Sequence, residues 1–337
     1  MKTSVVVTVY NLERYIEATL ECALRQAAGN EIIVVDDASS DASAAILAKF
    51  ASRVTIVRND VNLGVLRSTV AGLRRATGDI VCFLDGDDIW KDEKVTRVAQ
   101  LFEHDPSLAM VSHDYSFIDG EGTLLLKDDP SQRVLRRLAA KGNRGDVTEA
   151  MRGSILEYRG HVWLGSAYAI RRDAFDLAEF ERWISSLGRP DLVYQDHPLA
   201  TFLVLTASGG LSYIDEKLLL YRVHAANYSA GIANLARARA LARKGWETRA
   251  ATRDLILKYA PSRQQAVAIQ SAALREFDFL NAIYGGNMGE ALRGYAACTR
   301  DRWSLKQAAK EALRFGAIAA LGPDRFFALK SQVPRAR

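Results

Sequence analysis

The sequence is poor in cysteine and has no long apolar run, and both absences exclude classes of protein. Its three cysteines, Cys22, Cys82 and Cys298, are odd in number and far apart, so neither a disulfide framework nor a zinc-ligand spacing is present. No apolar stretch approaches the ~18 residues that a membrane-spanning helix needs. The chain enters a predicted strand at residues 4–9 without the charged and apolar regions of a signal peptide. These features predict a protein of the reducing cytoplasm.

Two nucleotide-binding fingerprints are missing as well. No Gly-X-Gly-X-X-Gly follows the first predicted strand, and no Walker A lysine loop occurs, which argues against a nicotinamide-type site and a P-loop. The rest of the composition is ordinary. A chain of 337 residues, 49% of them apolar and 25% charged, is typical of a soluble globular protein with one large domain or two smaller ones.

Charge is distributed unevenly along the chain. Residues 231–337 carry 19 Lys and Arg against 8 Asp and Glu, a balance of +11, whereas residues 1–230 carry 26 against 32. A basic third of this kind favours an anionic partner, either a membrane surface or a nucleic acid. A helical tail with a solvated basic face explains the same excess.

The first 114 residues alternate between strand and helix patterns. Strands are predicted over 4–9, 31–35, 54–57, 80–84 and 108–113, and helices over 13–28, 41–50, 64–77 and 91–103. Strands separated by helices of this length predict a parallel sheet with helices on both faces.

The pattern after residue 114 is less regular. Gly120 and Gly122 predict a turn, residues 127–146 predict an exposed polar loop, and a strand is predicted over 162–170. A short helix over 196–205 and a strand over 218–222 follow. From residue 233 the pattern is helical, with breaks at 259–261, 285–286 and 322–323.

Polar and acidic residues follow three of the predicted strands. Thr8, Tyr10 and Asn11 close the first strand, two acids at 36–37 close the second, and the motif Asp-Gly-Asp-Asp at 85–88 closes the fourth. The carboxyl ends of parallel strands form the ligand crevice of an open α/β sheet, so these residues are expected to meet there. Buried carboxylates are costly unless they are paired or bind a metal. The motif at 85–88 therefore predicts Mg²⁺ or Mn²⁺ shared with a diphosphate.

In order and spacing, these segments resemble the inverting family 2 glycosyltransferases with the GT-A fold. The resemblance begins at residues 6–11 and 20–26, is strongest in Ile-Val-Val-Asp-Asp-Ala-Ser-Ser-Asp at 33–41, and continues through 62–64, 78–80 and 83–88. Later segments at 194–196 and 220–224, with Asn227 and Ser229, also match. It implies an α/β, Rossmann-like GT-A domain with a mostly parallel central sheet, followed by an α-helical C-terminal region.

The resemblance also implies roles for the matched residues. Asp196 would be the catalytic base, and Asp87 and Asp88 with His224 would hold the metal. Asp36 has the alternative of shaping its turn only. The residues implied to bind the nucleotide sugar are Thr8, Tyr10, Asn11, Asp36, Asp37, Arg67, Asp85, Asp87 and Arg222.

Two positions depart from the family pattern. The family usually has Glu before the catalytic acid, where this chain has Gln195, so the implied base is kept and a neighbouring negative charge is removed. The family often has Arg-Asn where this chain has Thr69 and Val70, and Arg67 is the candidate replacement.

Candidate acceptor contacts are fewer and each has a structural alternative. His197 adjoins the implied base, and His113 and Trp163 lie in the segments expected on the acceptor side. Core histidines and packed tryptophans explain the same residues. Residues 303–330 mix aromatic and aliphatic residues with Lys and Arg. This mixture fits either a basic amphipathic helix on an anionic membrane or helices packed on their own domain.

The sequence thus predicts a GT-A domain over residues 1–229, with a nucleotide-binding half at 1–114 and an acceptor-side half at 115–229, and a basic helical region over 230–337. The expected activity is metal-dependent, inverting transfer of a sugar from a nucleotide-diphosphate sugar, UDP being the expected nucleotide, to a glycan or lipid-linked acceptor in cell-surface polysaccharide biosynthesis. A non-catalytic nucleotide-sugar-binding protein and a sugar nucleotidyltransferase are the alternatives. The expected location is cytoplasmic or peripheral on the inner face of the plasma membrane, with no nucleic-acid partner.

Overall fold

The computed structural model describes residues 1–26, 29–126, 132–140, 144–157, 164–224, 234–301 and 303–332. The chain divides into two compact units, Met1–Val223 and His224–Arg337. The predicted boundary after residue 229 lies within 225–233, outside the described residues. That boundary and the subdivision at residue 114 remain predictions.

Four parallel strands build the first half of the first unit. The strands β1 (Thr3–Val9), β2 (Glu31–Asp36), β3 (Thr55–Arg58) and β4 (Ile80–Asp85) alternate with the helices α1 (Ile16–Arg25), α2 (Ser43–Ala48) and α3 (Val65–Arg75). Strand β1 pairs in parallel with both β2 and β4, and β3 pairs in parallel with β2. Strands β1, β2 and β4 are buried along nearly their whole length, which is why they read as continuous apolar runs.

The second half of this unit makes the sheet mixed. Its strands are β5 (Ile89–Trp90), β6 (Leu108–Ile118), β7 (Leu124–Leu125), β8 (Ala169–Arg171) and β9 (Gly210–Arg222), and its helices are α4 (Lys94–His104), α5 (Gln132–Ala140), α6 (Arg144–Leu156), α7 (Leu177–Ser186) and α8 (Asp196–Thr206). The strand order is β3-β2-β1-β4-β8-β6-β9-β5, with β7 paired to β6. Strand β8 runs antiparallel to both of its neighbours, β4 and β6, whereas β6 and β9 are parallel.

Several predictions for this half were wrong in part. The expected loop at 127–146 contains α5 and the start of α6, while residues 127–131 and 141–143 lie outside the described part. Of the strand expected at 162–170, residues 162–163 lie outside the described part. Within 164–170 the strand begins only at Ala169, because β8 (Ala169–Arg171) pairs with β4 over three residues. A short 3₁₀ turn, Gly165–Ala167, precedes it. Strands β6 and β9 are longer than predicted because they pair with each other along their whole length. The pairing begins with Leu108 beside Gly210 and ends with Ile118 beside Arg222.

Helix α3 packs closely on strands β1 and β2 of the sheet. It buries Leu66 and Leu73 at helical spacing, and each such side chain contributes about 1.5–3 kcal/mol. A Cβ atom at Gly72 would lie 2.3 Å from Cγ1 of Val6 in β1, so only glycine permits this approach. The N-terminal cap of this helix is Gly64.

The described residues of the second unit form five helices, in agreement with the helical pattern predicted for this region. They are α9 (Leu235–Tyr259), α10 (Gln264–Gly285), α11 (Met288–Asp301), α12 (Leu305–Leu321) and α13 (Pro323–Gln332). The unit has its own core, in which Trp303, Phe315 and Phe326 pack around buried Ile318 and Phe327. Most large apolar residues of 303–330 are thus used inside the unit. Among the described helices, none combines the length and the apolarity that crossing a bilayer requires.

Candidate active site

Three strand ends meet along one edge of the sheet in the first unit. The register places Val9 beside Asp36 and Thr8 beside Asp85. The Thr8 hydroxyl donates to Oδ1 of Asp85 over 3.4 Å. The residues after β1, β2 and β4 therefore lie together, as the parallel arrangement predicted.

The carboxylate of Asp37 organises the loop that precedes α3. Its Oδ1 accepts hydrogen bonds from Asn59 Nδ2 and from the Leu63 amide, both at 2.8 Å, and its Oδ2 accepts from the Gly64 amide at 2.9 Å. Asp37 is buried. The contact with the ribose or base of a nucleotide remains a prediction, and the observed contacts show that this side chain also holds the loop at 62–64.

Asp36 shapes the turn that follows β2. Its Oδ1 accepts from the Ser39 amide at 2.9 Å, and its Oδ2 lies 3.5 Å from Nε of Arg58. Asn11 and Ala38 adopt left-handed backbone conformations, with φ of 53° and 60°. Such strained positions cluster at functional sites.

The turns after β1 and β2 are joined to each other. The Asn11 amide donates to Oγ of Ser39 at 3.0 Å, and Oδ1 of Asn11 accepts from the Ser40 amide at 2.8 Å. Tyr10 next to them is 48% exposed. Its ring is therefore accessible to a planar group at this edge, as the predicted nucleotide contact requires.

The acidic motif after β4 is crowded with carboxylates. Oδ1 of Asp85 accepts from Nε2 of Gln195 at 3.0 Å. Burial and the charges of Asp196 and Asp87 raise the pKa of Asp85 well above its usual value. Burial, with Asp87 and Asp85, raises the pKa of Asp88 in the same way. The motif is thus a set of like charges that a cation would stabilise.

Arg222 at the end of β9 supports this motif with its backbone amide and with its side chain. Its amide donates to Oδ1 of Asp88 at 2.9 Å, and its Nε donates to the Asp87 carbonyl at 2.7 Å. The guanidinium also lies 5.0 Å from the ring of Tyr15. Arg222 is buried and donates hydrogen bonds to the motif, and its contact with the donor remains a prediction.

Asp196 is the first residue of α8. Burial, in part offset by the Gly165 amide and reinforced by Asp87, raises the pKa of its carboxyl to about 7. Its Oδ1 is buried and accepts no hydrogen bond within the described part of the chain. A carboxyl group with this pKa can take and release a proton near neutral pH.

A divalent cation fits the acidic motif in part. Oδ2 of Asp88 is buried without a hydrogen-bond partner among the described residues, which is an open oxygen ligand in a cluster of like charges. Within the same residues, no group of three His, Cys, Asp or Glu side chains forms a complete cation cage. Mg²⁺ is commonly held by one or two carboxylates together with substrate phosphates, and this is the site that Asp87 and Asp88 offer. His224 begins the second unit, and its part in metal binding remains a prediction.

The candidate acceptor residues are placed unfavourably for contact with a substrate. His197 is buried, and its Nε2 lies 2.5 Å from the Ile155 carbonyl. His113 is buried, its Nδ1 donates to the Asp114 carbonyl at 2.8 Å, and burial, with a smaller effect of Lys94, lowers its pKa to about 3. These contacts favour the structural alternative for both. Trp163 lies outside the described residues.

Arg67 lies exposed on α3, near Asp191. It adds a small lowering of the pKa of Asp191, whose largest cause is the hydrogen bond from Arg189. The side chain of Arg67 is thus accessible from solvent, as a contact with the donor would require.

Sequence reasoning missed Gly165 and Ser166, which lie between the acidic motif and Asp196. The Ser166 hydroxyl accepts from the Asp85 amide at 3.0 Å, and the Ser166 carbonyl accepts from Nε1 of Trp90 at 2.7 Å. Trp90 lies two residues after the motif in sequence, and a buried indole needs a hydrogen-bond acceptor. That need was the available sign that another segment packs against the motif. No local pattern marks Gly165 or Ser166, because their partners, Asp196 and Asp85, are about 30 and 80 residues away, respectively.

The comparisons with known proteins agree with this geometry. Residues 4–159 match the sequence model of glycosyl transferase family 2. Residues 4–159, slightly less than half of the chain, thus match a family 2 glycosyltransferase domain. The resemblance inferred from the motifs is therefore confirmed, and so is the enzyme class, glycosyltransferase, at the level of this domain.

Two curated relatives show how far the similarity extends. An uncharacterized glycosyltransferase of Nostoc sp. is 27% identical over 67% of this chain and 66% of its own length. The UDP-Glc:α-D-GlcNAc-diphosphoundecaprenol β-1,3-glucosyltransferase WfaP of Escherichia coli is 32% identical over 33% of this chain and 45% of its own length. The chain thus spans only part of the relatives that it matches.

The solved structures confirm the fold. The mannosyltransferase PcManGT from Pyrobaculum calidifontis, solved with GDP-Man and Mn²⁺, has a TM-score of 0.54 at 17% identity and covers 99% of this chain and 88% of its own. The predicted GT-A architecture with its C-terminal helices is therefore confirmed.

Proposed function

We propose that this chain transfers a sugar from a nucleotide-diphosphate sugar to an acceptor hydroxyl with inversion at the anomeric carbon. The observation that carries the proposal is the carboxyl of Asp196, whose pKa is raised to about 7 and which interacts with Asp85 and Asp87 of the motif after β4. One carboxylate is thus suited to proton transfer beside a cluster suited to a diphosphate. In-line attack then needs no covalent intermediate.

The chain's own residues divide the work as follows. Asp196 takes the proton of the acceptor hydroxyl while the new bond forms, because a poor nucleophile needs a base within hydrogen-bond reach. The turns at Asn11 and Asp36, together with Asp37, which holds the loop at 62–64, form the nucleotide side. Gln195 holds Asp85, and Arg222 holds the backbone at Asp87. These contacts preorganise the site before the donor binds.

A divalent metal ion fits this arrangement through Asp87 and Asp88. When bound, such an ion neutralises the charge that develops on a departing nucleoside diphosphate. The related mannosyltransferase was solved with Mn²⁺, which supports Mg²⁺ or Mn²⁺ as the cofactor here.

The donor and acceptor are proposed from the relatives' chemistry. The Escherichia coli relative is named for a UDP-sugar donor and a diphosphoundecaprenol-linked acceptor, and the structural neighbour was solved with GDP-Man. We therefore propose a UDP-sugar, with a GDP-sugar as the competing donor. A glycan or lipid-linked acceptor in polysaccharide biosynthesis is the proposed partner.

A non-catalytic nucleotide-sugar-binding protein is the second candidate, since Gln195 replaces the usual Glu of the family pattern. The structure favours the enzyme. The amide of Gln195 donates to Asp85, so the substitution supplies a hydrogen bond to the motif and leaves Asp196 in place.

The variant Asp196→Asn tests the proposal directly. It keeps the shape of the side chain and removes the base, so turnover should fall by about 100-fold or more, while calorimetry with UDP- and GDP-sugars should give unchanged donor affinity. Asp173→Asn, at an exposed position of the same unit, is the matched control and should retain full turnover. Normal turnover in Asp196→Asn would remove this residue from the role of base.

A membrane-side location is proposed from α12. Leu305 and Leu313 on this helix are 90% and 77% exposed, and Lys306 and Lys310 beside them are exposed as well. An apolar face next to cations suits an anionic bilayer surface. A lipid-linked acceptor would be met at that surface.

A further inference from the structure

A short turn lies between the two parts of the proposed site. The 3₁₀ turn Gly165–Ala167 is buried throughout. It is closed by hydrogen bonds from the Ala167 amide to the Leu164 carbonyl at 2.9 Å and from the Tyr168 amide to the Gly165 carbonyl at 3.3 Å. Strand β8, which follows at once, pairs with β4 through Ala169 and Cys82. The turn is therefore anchored to the strand that carries the acidic motif.

Gly165 faces the carboxylate of Asp196. A Cβ atom at position 165 would lie 2.4 Å from Oδ1 of Asp196 and 3.2 Å from its Cγ. The backbone of Gly165 is not in the left-handed region, so its conformation does not by itself require glycine. What requires glycine is the space that the carboxylate occupies.

Ser166 faces the acidic motif. Its hydroxyl accepts from the Asp85 amide at 3.0 Å, and its carbonyl accepts from the indole of Trp90 at 2.7 Å. The side chain of Ser166 is fully buried. Since an unsatisfied buried amide is costly, this hydroxyl fixes the backbone at the point where the motif begins.

Two further contacts join the same parts. The Tyr168 hydroxyl donates to the Asp196 carbonyl at 3.3 Å, and Nε2 of Gln195 donates to Oδ1 of Asp85 at 3.0 Å. The start of α8 is thus held to the turn on one side and to the motif on the other. Each link joins segments that are distant in the chain.

We propose that Gly165 and Ser166 are positioning residues, which set the distance between the proton-accepting carboxylate of Asp196 and the diphosphate-binding motif at 85–88. The inference rests on the proposed function. Gly165 acts on the base and Ser166 acts on the donor side. Neither residue touches the reacting atoms.

The two variants Gly165→Ala and Ser166→Ala test the division of roles. In Gly165→Ala the methyl group displaces the carboxylate, and kcat should fall on the order of 100-fold, since misplacement by about 1 Å has that effect, with donor affinity unchanged. In Ser166→Ala the donor Kd should rise roughly tenfold, with the smaller change in kcat. Gly188→Ala, where an added methyl group meets nothing within 4 Å, is the matched control.

A double variant and a crystal structure separate positioning from general damage. In the Asp196→Asn background, Gly165→Ala should cause no further loss of the residual rate, because both changes act on one group. Equal losses of kcat and donor affinity in both variants would overturn the proposal. An unmoved Asp196 carboxylate in the crystal structure of Gly165→Ala would also overturn it. A wild-type chain that turns over no nucleotide sugar would instead refute the proposed function, and the crystal structure would still decide the positioning role.

Discussion

At the scale of single residues, the protonation of Asp196 controls when the proposed base can work. Burial and Asp87 raise the pKa of this carboxyl to about 7, and only the ionised form accepts a proton. We expect kcat/KM to rise with pH with a midpoint at about 7, because this parameter reports groups of the free enzyme. A titration of the carboxyl carbon by NMR, with Asp196→Asn to assign the signal, measures the same group directly. A rate that stays flat between about pH 5 and 8 would contradict this assignment.

The same group makes stability depend on pH. The folded-state pKa of Asp196 lies above its ordinary value of 3.8, so ionisation in the folded chain is disfavoured and the cost accumulates as pH rises between these two values. Asp196→Asn removes that cost. Without added metal, its free energy of unfolding should equal that of the wild type near about pH 3 and exceed it by roughly 1–3 kcal/mol at pH 8. A difference that does not change with pH, measured by urea unfolding, would show that Asp196 is not strained by ionisation.

The residues of the site were predictable to different degrees. The acids at 36–37 and 85–88 close apolar strands, so local pattern alone marked them. Asp196 was reached only through the family resemblance, because nothing local distinguishes it from other helix-starting acids. The buried contacts of His113, His197 and Arg222 depend on which segments pack around them, and that information is spread over the chain.

At the scale of elements, the loop before α3 depends on one glycine. Gly64 has φ of +83°, and a Cβ atom there would lie 2.5 Å from the Asp191 carbonyl oxygen. Gly29 has φ of +92°, and a Cβ atom added there would meet no atom within 4 Å. A substitution at Gly29 therefore measures the cost of the left-handed backbone without a steric clash. We expect Gly29→Ala to lower the free energy of unfolding by about 1 kcal/mol and Gly64→Ala by roughly 3 kcal/mol, with weaker donor binding only in the latter. Equal effects in chemical denaturation would show that the contact with Asp191 is not limiting.

Elements with strong periodicity were predicted well, and elements that depend on long-range pairing were not. Strands β1, β2 and β4 follow from their apolar runs, and the helices α9 to α13 follow from spacing and from breaks such as Gly322. Strand β8 has three residues and is defined by its antiparallel pairing with β4 on one side and β6 on the other. Helix α5 was missed because its basic composition suggested a solvated loop, although Val134, Leu135 and Leu138 have helical spacing.

At the scale of the whole molecule, the uneven charge is concentrated in a unit with its own core. Residues 231–337 carry a balance of +11, from 19 basic and 8 acidic residues. On α12, which is described in full, the single acid Glu311 is buried, whereas Lys306 and Lys310 are exposed. The exposed side of this helix is therefore cationic and apolar, without acidic residues that would repel an anionic surface.

This surface yields a prediction for lipid binding. The exposed side chains of Leu305 and Leu313 would enter the interface of a bilayer, while the neighbouring lysines contact its headgroups. The chain of 337 residues should sediment with vesicles that contain phosphatidylglycerol and not with vesicles of phosphatidylcholine alone. Replacing both leucines with aspartate should weaken binding roughly 10- to 100-fold, and added salt should weaken binding of the wild type.

The control is Leu257→Asp, which alters an exposed leucine on α9 of the same unit and should bind as the wild type does. Equal sedimentation with both kinds of vesicle would contradict the electrostatic part. A dimer in analytical ultracentrifugation that Leu305→Asp and Leu313→Asp together dissolve would show that this surface binds a second copy of the chain instead.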